Sequence, residues 1–113
     1  MTQRVLIVED DPLIAMDLEA IASETGAAAT VCSSVREAFE HLERSEFELA
    51  LLDVDVTDGQ TFGVARRLRE RRVPVCFVSA VRVADIPADI ADAPLVPKPY
   101  RVAELRERIR AGM

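Results

Sequence analysis

The chain has 113 residues, of which half are hydrophobic and 30% are charged, and its net charge is −6. This length and composition are typical of one globular domain, and we expect a single domain over residues 1–113. The acidic balance argues against direct binding of nucleic acid and against an electrostatic membrane anchor. No segment has the roughly 20 apolar residues of a membrane span, and the first residues lack the apolar region of a signal peptide. We therefore expect a cytoplasmic protein.

Five apolar segments predict β-strands. The clearest is a run of four apolar residues that ends at Asp53, typical of a strand buried on both faces of a parallel sheet. The five segments, in chain order, are Arg4–Val8, Ala28–Cys32, Leu49–Leu52, Pro74–Val78 and Leu95–Pro97. Cys32 and Cys76 lie in these runs without metal-ligand spacing, which predicts reduced, buried thiols.

Helical patterns separate the strands. Asp11 and Pro12 predict the start of the first helix, and Gly26 predicts its end. Ser34 and Glu37 have the spacing of a capping box at the start of the second helix. The inward positions of these two helices are predicted to be Ile14, Leu18, Ile21 and Ala22, and Val35, Ala38, Phe39 and Leu42.

Later segments are predicted with the same rules. A third helix is expected over residues 61–71 and a last helix over residues 102–110, whereas residues 56–59 are expected to form a loop. Pro87 limits any helix between the fourth and fifth strands to a short one. The inward positions are predicted to be Phe62, Ala65 and Leu68 in the third helix, and Val102, Leu105 and Ile109 in the last.

Alternating strands and helices predict an α/β fold, in which a parallel sheet carries helices on both faces. The carboxyl ends of parallel strands share one edge of the sheet, where open α/β folds bind their ligands. The first strand delivers Glu9 and Asp10 to this edge, the third Asp53, the fourth Ser79 and the fifth Lys98. We therefore expect these five polar side chains to meet.

The chemistry of this group is coherent. Three carboxylates at close range repel one another, and a hard divalent cation such as Mg²⁺ would neutralise them. An ammonium group can contact phosphate as a point charge, and a serine hydroxyl can donate a hydrogen bond to a phosphoryl oxygen. A carboxylate can also accept a phosphoryl group as an aspartyl phosphate. Phosphoryl chemistry is therefore the leading interpretation.

Four motifs at the strand ends together resemble the receiver domain of bacterial two-component response regulators. They are Val8-Glu9-Asp10-Asp11-Pro12, Leu51-Leu52-Asp53, Val78-Ser79-Ala80 and Lys98-Pro99-Tyr100. The resemblance covers essentially the whole chain. It implies a flavodoxin-like (CheY-like), doubly wound five-stranded sheet with strand order 2-1-3-4-5. It also implies a stand-alone, single-domain receiver with a shortened fourth helix.

The resemblance further implies a role for each site residue. Asp53 would accept a phosphoryl group from the phosphohistidine of a sensor kinase or phosphotransfer protein, with Ser79 and Lys98 contacting that group. Mg²⁺, or alternatively Mn²⁺, would be held by Glu9 through water and by Asp10, by Asp53 and by the main-chain carbonyl of Asp55. Lys98-Pro99 would be a cis peptide.

Such a domain is a signalling domain rather than an enzyme, apart from its self-catalysed phosphotransfer and autodephosphorylation. Its downstream protein target is unknown, and apolar residues of the last helix could join a homodimer.

Four positions depart from the usual receiver pattern. Thr57 and Thr61 stand where receivers usually carry proline and glycine, and Asp55 is acidic where many have a neutral residue. Leu95 occupies the place of the usual switch aromatic, and the segment over residues 81–94 is short. We expect signalling through rearrangement of that segment rather than through a rigid helix face.

Other interpretations are open at this point. The order Asp53-Val54-Asp55-Val56-Thr57 is also similar to the first motif of haloacid-dehalogenase-type phosphatases, with Asp53 as nucleophile and Asp55 as acid/base. In those enzymes, however, the motif usually comes first and the metal-binding acids come late. A phosphotransfer module using His41 would need an all-helical bundle, which the strands contradict. A flavodoxin would need a phosphate-binding loop in place of Glu9-Asp10-Asp11.

Overall fold

The computed structural model describes residues 2–112, which contain a five-stranded parallel sheet and a two-stranded antiparallel hairpin. The strands, in chain order, are β1 (Arg4–Val8), β2 (Ala28–Cys32), β3 (Leu49–Leu52), β4 (Asp55–Val56), β5 (Gly59–Gln60), β6 (Val75–Ser79) and β7 (Leu95–Pro97). The sheet has the strand order β2-β1-β3-β6-β7, and β4 pairs with β5 in the hairpin. The five predicted strands and their doubly wound order are confirmed. In the sheet Val8 pairs with Cys32 and Leu52, so β1, β2 and β3 end at the same level. β6 continues two residues beyond Phe77, the partner of Leu52, and ends level with β7, where Ser79 pairs with Pro97.

Four α-helices cover the two faces of the sheet. They are α1 (Pro12–Glu24), α2 (Val35–Arg44), α3 (Phe62–Glu70) and α4 (Val102–Ala111). Alternate residues of each strand face opposite layers: Ile7 and Leu51 pack with α1 and α4, whereas Leu6 and Leu52 pack with α2 and α3. Both layers consist of buried apolar side chains, so the fold rests mainly on apolar burial.

The predicted inward faces of the helices are largely confirmed. Leu18, Ile21, Leu105 and Ile109 are buried, and Ala15 is buried where Ile14 is only half-buried. The prediction for Val102 was wrong: 43% of this residue is exposed. It is the first residue of α4, ahead of Leu105 and Ile109, the positions at which this helix packs into the core.

Local signals set the helix ends as predicted, with one correction. The Asp11 carboxylate caps α1 by accepting hydrogen bonds from the N–H groups of Leu13 and Ile14. Gly26 has φ +87°, a left-handed conformation that favours glycine. Ser34 caps α2, but the Glu37 carboxylate accepts a hydrogen bond from the Ser33 hydroxyl, so the reciprocal half of the predicted capping box is not formed.

The segment between β6 and β7 has no long helix. It forms two 3₁₀ turns, Val83–Asp85 and Ala88–Ile90, which fits the expected truncation of the fourth helix. Ile86 and Ile90 anchor the segment in the core beside α3.

The arginines of residues 66–72 form a basic run at the end of α3, for which the sequence predicts a solvated helix face. Two of them contact the segment between β6 and β7 through ion pairs. Arg66 binds Asp89 and Arg69 binds Asp92, each through two hydrogen bonds of 2.7–3.2 Å. The run is therefore a partnered surface and not only the solvated helix face that its composition predicts. None of the helices in residues 2–112 has the length and hydrophobicity needed to cross a membrane.

Candidate phosphorylation and metal site

The carboxyl edge of the sheet carries a compact group of charged side chains. Glu9 and Asp10 follow β1, Asp53 follows β3 and Lys98 follows β7. The structure brings these four predicted residues together, although up to 89 positions separate them in the chain.

Lys98 lies at the centre of the group. Its Nζ donates hydrogen bonds to Glu9 Oε1 at 2.6 Å and to Asp53 Oδ2 at 2.9 Å. Burial by itself lowers the pKa of Lys98, but the hydrogen bonds to Glu9 and Asp53 more than offset it and raise this pKa above its ordinary value. The ammonium group therefore stays charged at neutral pH.

The three carboxylates form a gradient of burial. Glu9 is 2% exposed, Asp53 is half-buried and Asp10 is exposed. Burial raises the pKa of Glu9, and its hydrogen bonds with Lys98 and with the Asp11 N–H oppose that rise. Lys98 and the 3.1 Å bond from the Asp11 N–H each occupy one of the two Glu9 oxygens.

The acids have the donor set of a hard cation. Glu9, Asp10 and Asp53 each offer one carboxylate oxygen, and these oxygens lie within 4.8 Å of one another. All-oxygen ligation of this kind suits Mg²⁺ or Ca²⁺ rather than a soft metal. The group can therefore hold a divalent cation at its open side, where Asp10 faces solvent.

Asp53 is oriented through its main chain as well as its side chain. Its N–H donates to the Val8 carbonyl at 2.9 Å, and its Oδ1 accepts a hydrogen bond from the Val54 N–H at 2.8 Å. Lys98 holds the other carboxylate oxygen. The protein's own hydrogen bonds therefore fix the orientation of the Asp53 carboxylate.

The segment after Asp53 differs from the predicted loop. β4 and β5 form a short antiparallel hairpin, in which Asp55 pairs with Gln60 and Val56 with Gly59. The Asp58-Gly59 dipeptide is a sequence signal for a turn and could have identified this hairpin. In the structure Gly59 has φ +138°, a conformation that favours glycine. The Asp55 side chain is exposed and lies outside the group of acids that could hold a metal. The role of its main-chain carbonyl stays a prediction.

Ser79 lies at the same edge but is less directly engaged. The residue is 2% exposed, and its Oγ accepts a long hydrogen bond of 3.5 Å from the Val81 N–H. The Ser79 carbonyl accepts a 3.0 Å hydrogen bond from the Lys98 N–H, so the main chains that carry the two side chains are joined. The structure thus places the main chain of Ser79, at the end of β6, next to that of Lys98, which directly follows β7.

The peptide after Lys98 links the site to α1. The Lys98–Pro99 peptide is cis, as the resemblance implied. The Tyr100 hydroxyl donates a hydrogen bond to the Asp17 carboxylate, and burial and this bond raise the pKa of Tyr100. This contact of Tyr100 with α1 was not predicted from the sequence. Leu95, at the position of the usual aromatic, is half-buried.

Comparison with known proteins identifies the family. The model of the response regulator receiver domain matches residues 5–110. The chain belongs to this family. Receiver domains are signalling domains of two-component systems, and the matched region contains all of the site residues described above.

Relatives of this receiver domain are regulators. It is 33% identical to the transcriptional activator protein PfeR of Pseudomonas aeruginosa over 96% of the chain and 37% of the relative. It is 30% identical to the transcriptional regulatory protein BasR of Escherichia coli over 96% of the chain and 51% of the relative. The chain therefore spans about half the length, or less, of these curated relatives.

Solved structures support the fold of this receiver domain. A CheY-like receiver domain from Methylobacillus flagellatus superposes with a TM-score of 0.86 at 19% identity, and the match covers 100% of both chains. The chemotaxis response regulator CheY4 of Vibrio cholerae gives a TM-score of 0.88 at 16% identity, again over 100% of both chains. At these identities the likeness concerns the fold alone, which is CheY-like.

Proposed function

We propose that this receiver domain accepts a phosphoryl group on Asp53 in a Mg²⁺-dependent reaction, with a phosphohistidine of a sensor kinase or phosphotransfer protein as the donor. The observation that carries the proposal is the contact of Lys98 Nζ with Asp53 Oδ2 at 2.9 Å, within a group of three carboxylates. A structural ion pair would need one acid, whereas the Lys98 ammonium contacts both Glu9 and Asp53, next to the third carboxylate of the group.

The residues present can carry out this transfer. A carboxylate oxygen of Asp53 would attack phosphorus, forming a P–O bond while the P–N bond to the donor histidine breaks and the departing imidazole takes up a proton. The product is a mixed anhydride on Asp53. Lys98 would move its hydrogen bond from the carboxylate to a phosphoryl oxygen, and Ser79 would donate to another.

The carboxylates would hold the metal. Asp10 and Asp53 offer the accessible oxygens, while Glu9, with both oxygens occupied, would act on the ion through water, and the Asp55 main-chain carbonyl would complete the protein ligands. Bound Mg²⁺ would offset the negative charge on the transferring group.

Phosphorylation would switch binding of a downstream protein. The segment over residues 81–94 closely follows Ser79 and contains two short turns, so a shift of Ser79 toward a phosphoryl group would change the conformation of that segment. The expected cytoplasmic location, a single domain over residues 1–113 and a homodimer through α4 belong to the same proposal.

The phosphatase interpretation has less support. It requires the Asp55 side chain to act as acid/base beside Asp53, but that side chain is exposed and lies outside the acidic group. The match to the receiver family over residues 5–110 also favours a phosphorylated signalling domain over a turnover enzyme.

Intact-mass measurement tests the proposal. The protein is incubated with acetyl phosphate and Mg²⁺, beside Asp53→Asn and, as a control that removes an exposed carboxylate from the far end of α2, Glu43→Gln. We expect one phosphate-sized mass gain in the wild type and in the control, and none in Asp53→Asn or with a chelator present. Steady hydrolysis of p-nitrophenyl phosphate without a stable mass gain would instead support a phosphatase.

A further inference from the structure

Two hydrogen-bonded contacts secure the segment that follows Asp53. At the tip of the β4–β5 hairpin, the Asp58 carboxylate accepts hydrogen bonds from the N–H groups of Val35 at 2.7 Å and Arg36 at 3.1 Å. These are the first two N–H groups of α2, which otherwise have no partner inside the helix. A side chain from the hairpin thus helps Ser34 to cap a helix more than 20 positions away.

Thr61 secures the other end of the segment. It is fully buried, and its hydroxyl donates a 2.6 Å hydrogen bond to the main-chain carbonyl of Asp53. The Thr61 N–H donates to the Val54 carbonyl at 2.9 Å. Thr61 stands at the head of α3 without using its side chain to cap that helix, so its hydroxyl is committed to the acceptor residue.

Together these contacts close the chain between β3 and α3 into one fixed unit. Thr61 fixes the main chain where Asp53 leaves the sheet, and Asp58 fixes the hairpin tip against α2. Asp55 and Val56 lie between these two contacts. Asp55 pairs with Gln60 across the hairpin, and Val56 is buried. Receivers usually carry glycine at the position of Thr61, and glycine could not provide this hydroxyl contact.

We propose that Thr61 and Asp58 are positioning residues that hold Asp53 and the main chain of Asp55 in the arrangement that binds Mg²⁺ and accepts the phosphoryl group. The proposal rests on the function proposed above. Neither side chain reaches the phosphoryl group in this arrangement; each acts through the main chain that it holds. The hairpin therefore replaces the rigidity that a proline in the usual receiver loop would supply.

Thr61→Val tests the first contact, because it keeps the size of the side chain and removes the donor. A neutral hydrogen bond is worth about three- to tenfold in an equilibrium constant. We expect Mg²⁺ affinity, measured by isothermal titration calorimetry, to fall by about this factor and phosphorylation by acetyl phosphate to slow at low Mg²⁺. Thr61→Ser should retain wild-type affinity. Thr57→Val is the matched control, because Thr57 is exposed in the same hairpin.

Asp58→Asn tests the second contact and is expected to fold, because Asp58 is exposed. Its matched control is Glu43→Gln, which removes the same charge from the exposed end of α2. We expect Asp58→Asn to weaken Mg²⁺ binding and Glu43→Gln to leave it unchanged. Saturating Mg²⁺ should recover most of the phosphorylation rate, which distinguishes a positioning defect from the loss of a reacting group.

The outcomes separate the two proposals. If the wild type neither binds Mg²⁺ nor gains phosphate, the proposed function fails. If the wild type does both and neither Thr61→Val nor Asp58→Asn changes Mg²⁺ affinity, the positioning proposal is overturned, even if both variants melt at a lower temperature. If Thr61→Val does not fold, Asp58→Asn against Glu43→Gln decides.

Discussion

Replacing Lys98 by methionine is the most informative perturbation of the site. The variant keeps an extended side chain but leaves Glu9, which is 2% exposed, without its cationic partner 2.6 Å away. Removal of one partner of a buried ion pair typically destabilises a protein by about 3–5 kcal/mol. Because the Lys98 side chain is still 16% exposed, we place the loss near the lower limit, at about 3 kcal/mol or roughly 10 °C in the melting temperature.

The loss should depend on the charge of Glu9. Since burial raises the pKa of Glu9, that carboxyl group takes up a proton more readily once Lys98 is gone. A protonated Glu9 no longer needs a cation, so the defect of Lys98→Met should be largest near pH 7.5 and smaller near pH 5. The pair Glu9→Gln and Lys98→Met completes a double-mutant cycle, and the double variant should recover most of the lost stability.

Urea unfolding followed by circular dichroism measures these free energies. Lys98→Arg is the control, because it retains the positive charge. A Lys98→Met variant as stable as the wild type at pH 7.5, or a loss that Glu9→Gln does not relieve, would refute the interpretation of Lys98 as the neutralising group of this site.

Three further predictions concern the rest of the domain. The hydrogen bond from the Arg66 guanidinium lowers the pKa of Asp89 in the folded protein. This ion pair therefore stabilises the fold at pH values above the ordinary pKa of a carboxyl group, and the stabilisation is lost as the pH falls through the lower pKa of the folded state. Asp89→Asn should therefore lower the urea midpoint more at pH 7 than near pH 3; an equal effect at both would contradict this. Burial raises the pKa of Cys32 to about 12 and that of Cys76 to about 11. Both thiols should resist Ellman's reagent at pH 8 until the protein unfolds, and raising the pH from about 8.5 should destabilise the fold because only the unfolded thiols ionise; rapid native reaction would contradict the burial. Leu105→Ala should lower the free energy of unfolding by about 2–5 kcal/mol in the same urea assay, because Leu105 is fully buried. A decrease below about 1 kcal/mol would contradict the place of Leu105 in the core.

The strands and most of the site were predictable from sequence for a simple reason. Short aliphatic runs such as Leu49–Leu52 that alternate with helical patterns are typical of central parallel strands, and parallel strands deliver the residues that follow them to one edge. The strand pattern is therefore sufficient to bring Asp53 and Lys98 together. The truncated segment around Pro87 was predictable because proline excludes a long helix there.

Side-chain contacts were not predictable in the same way. The sequence places Glu9 and Lys98 at one edge, but the 2.6 Å contact between them depends on rotamers and burial that no local pattern encodes. The hairpin was missed because strands of two residues carry no periodicity, and the contacts of Asp58 with α2 and of Thr61 with Asp53 that accompany it are tertiary. Val102 was misassigned because periodicity gives the face of a helix but not where the helix reaches the core.

Site-resolved trapping of the phosphorylated residue tests the central claim most directly. Borohydride reduces an aspartyl phosphate to homoserine, so the protein is phosphorylated with Mg²⁺ and acetyl phosphate, reduced, digested and mapped by mass spectrometry. We predict homoserine at position 53 alone, formed only when Mg²⁺ is present. Homoserine at Asp10, Asp11 or Asp55, or at no position in a protein that has gained phosphate, would contradict the assignment of Asp53 as the acceptor.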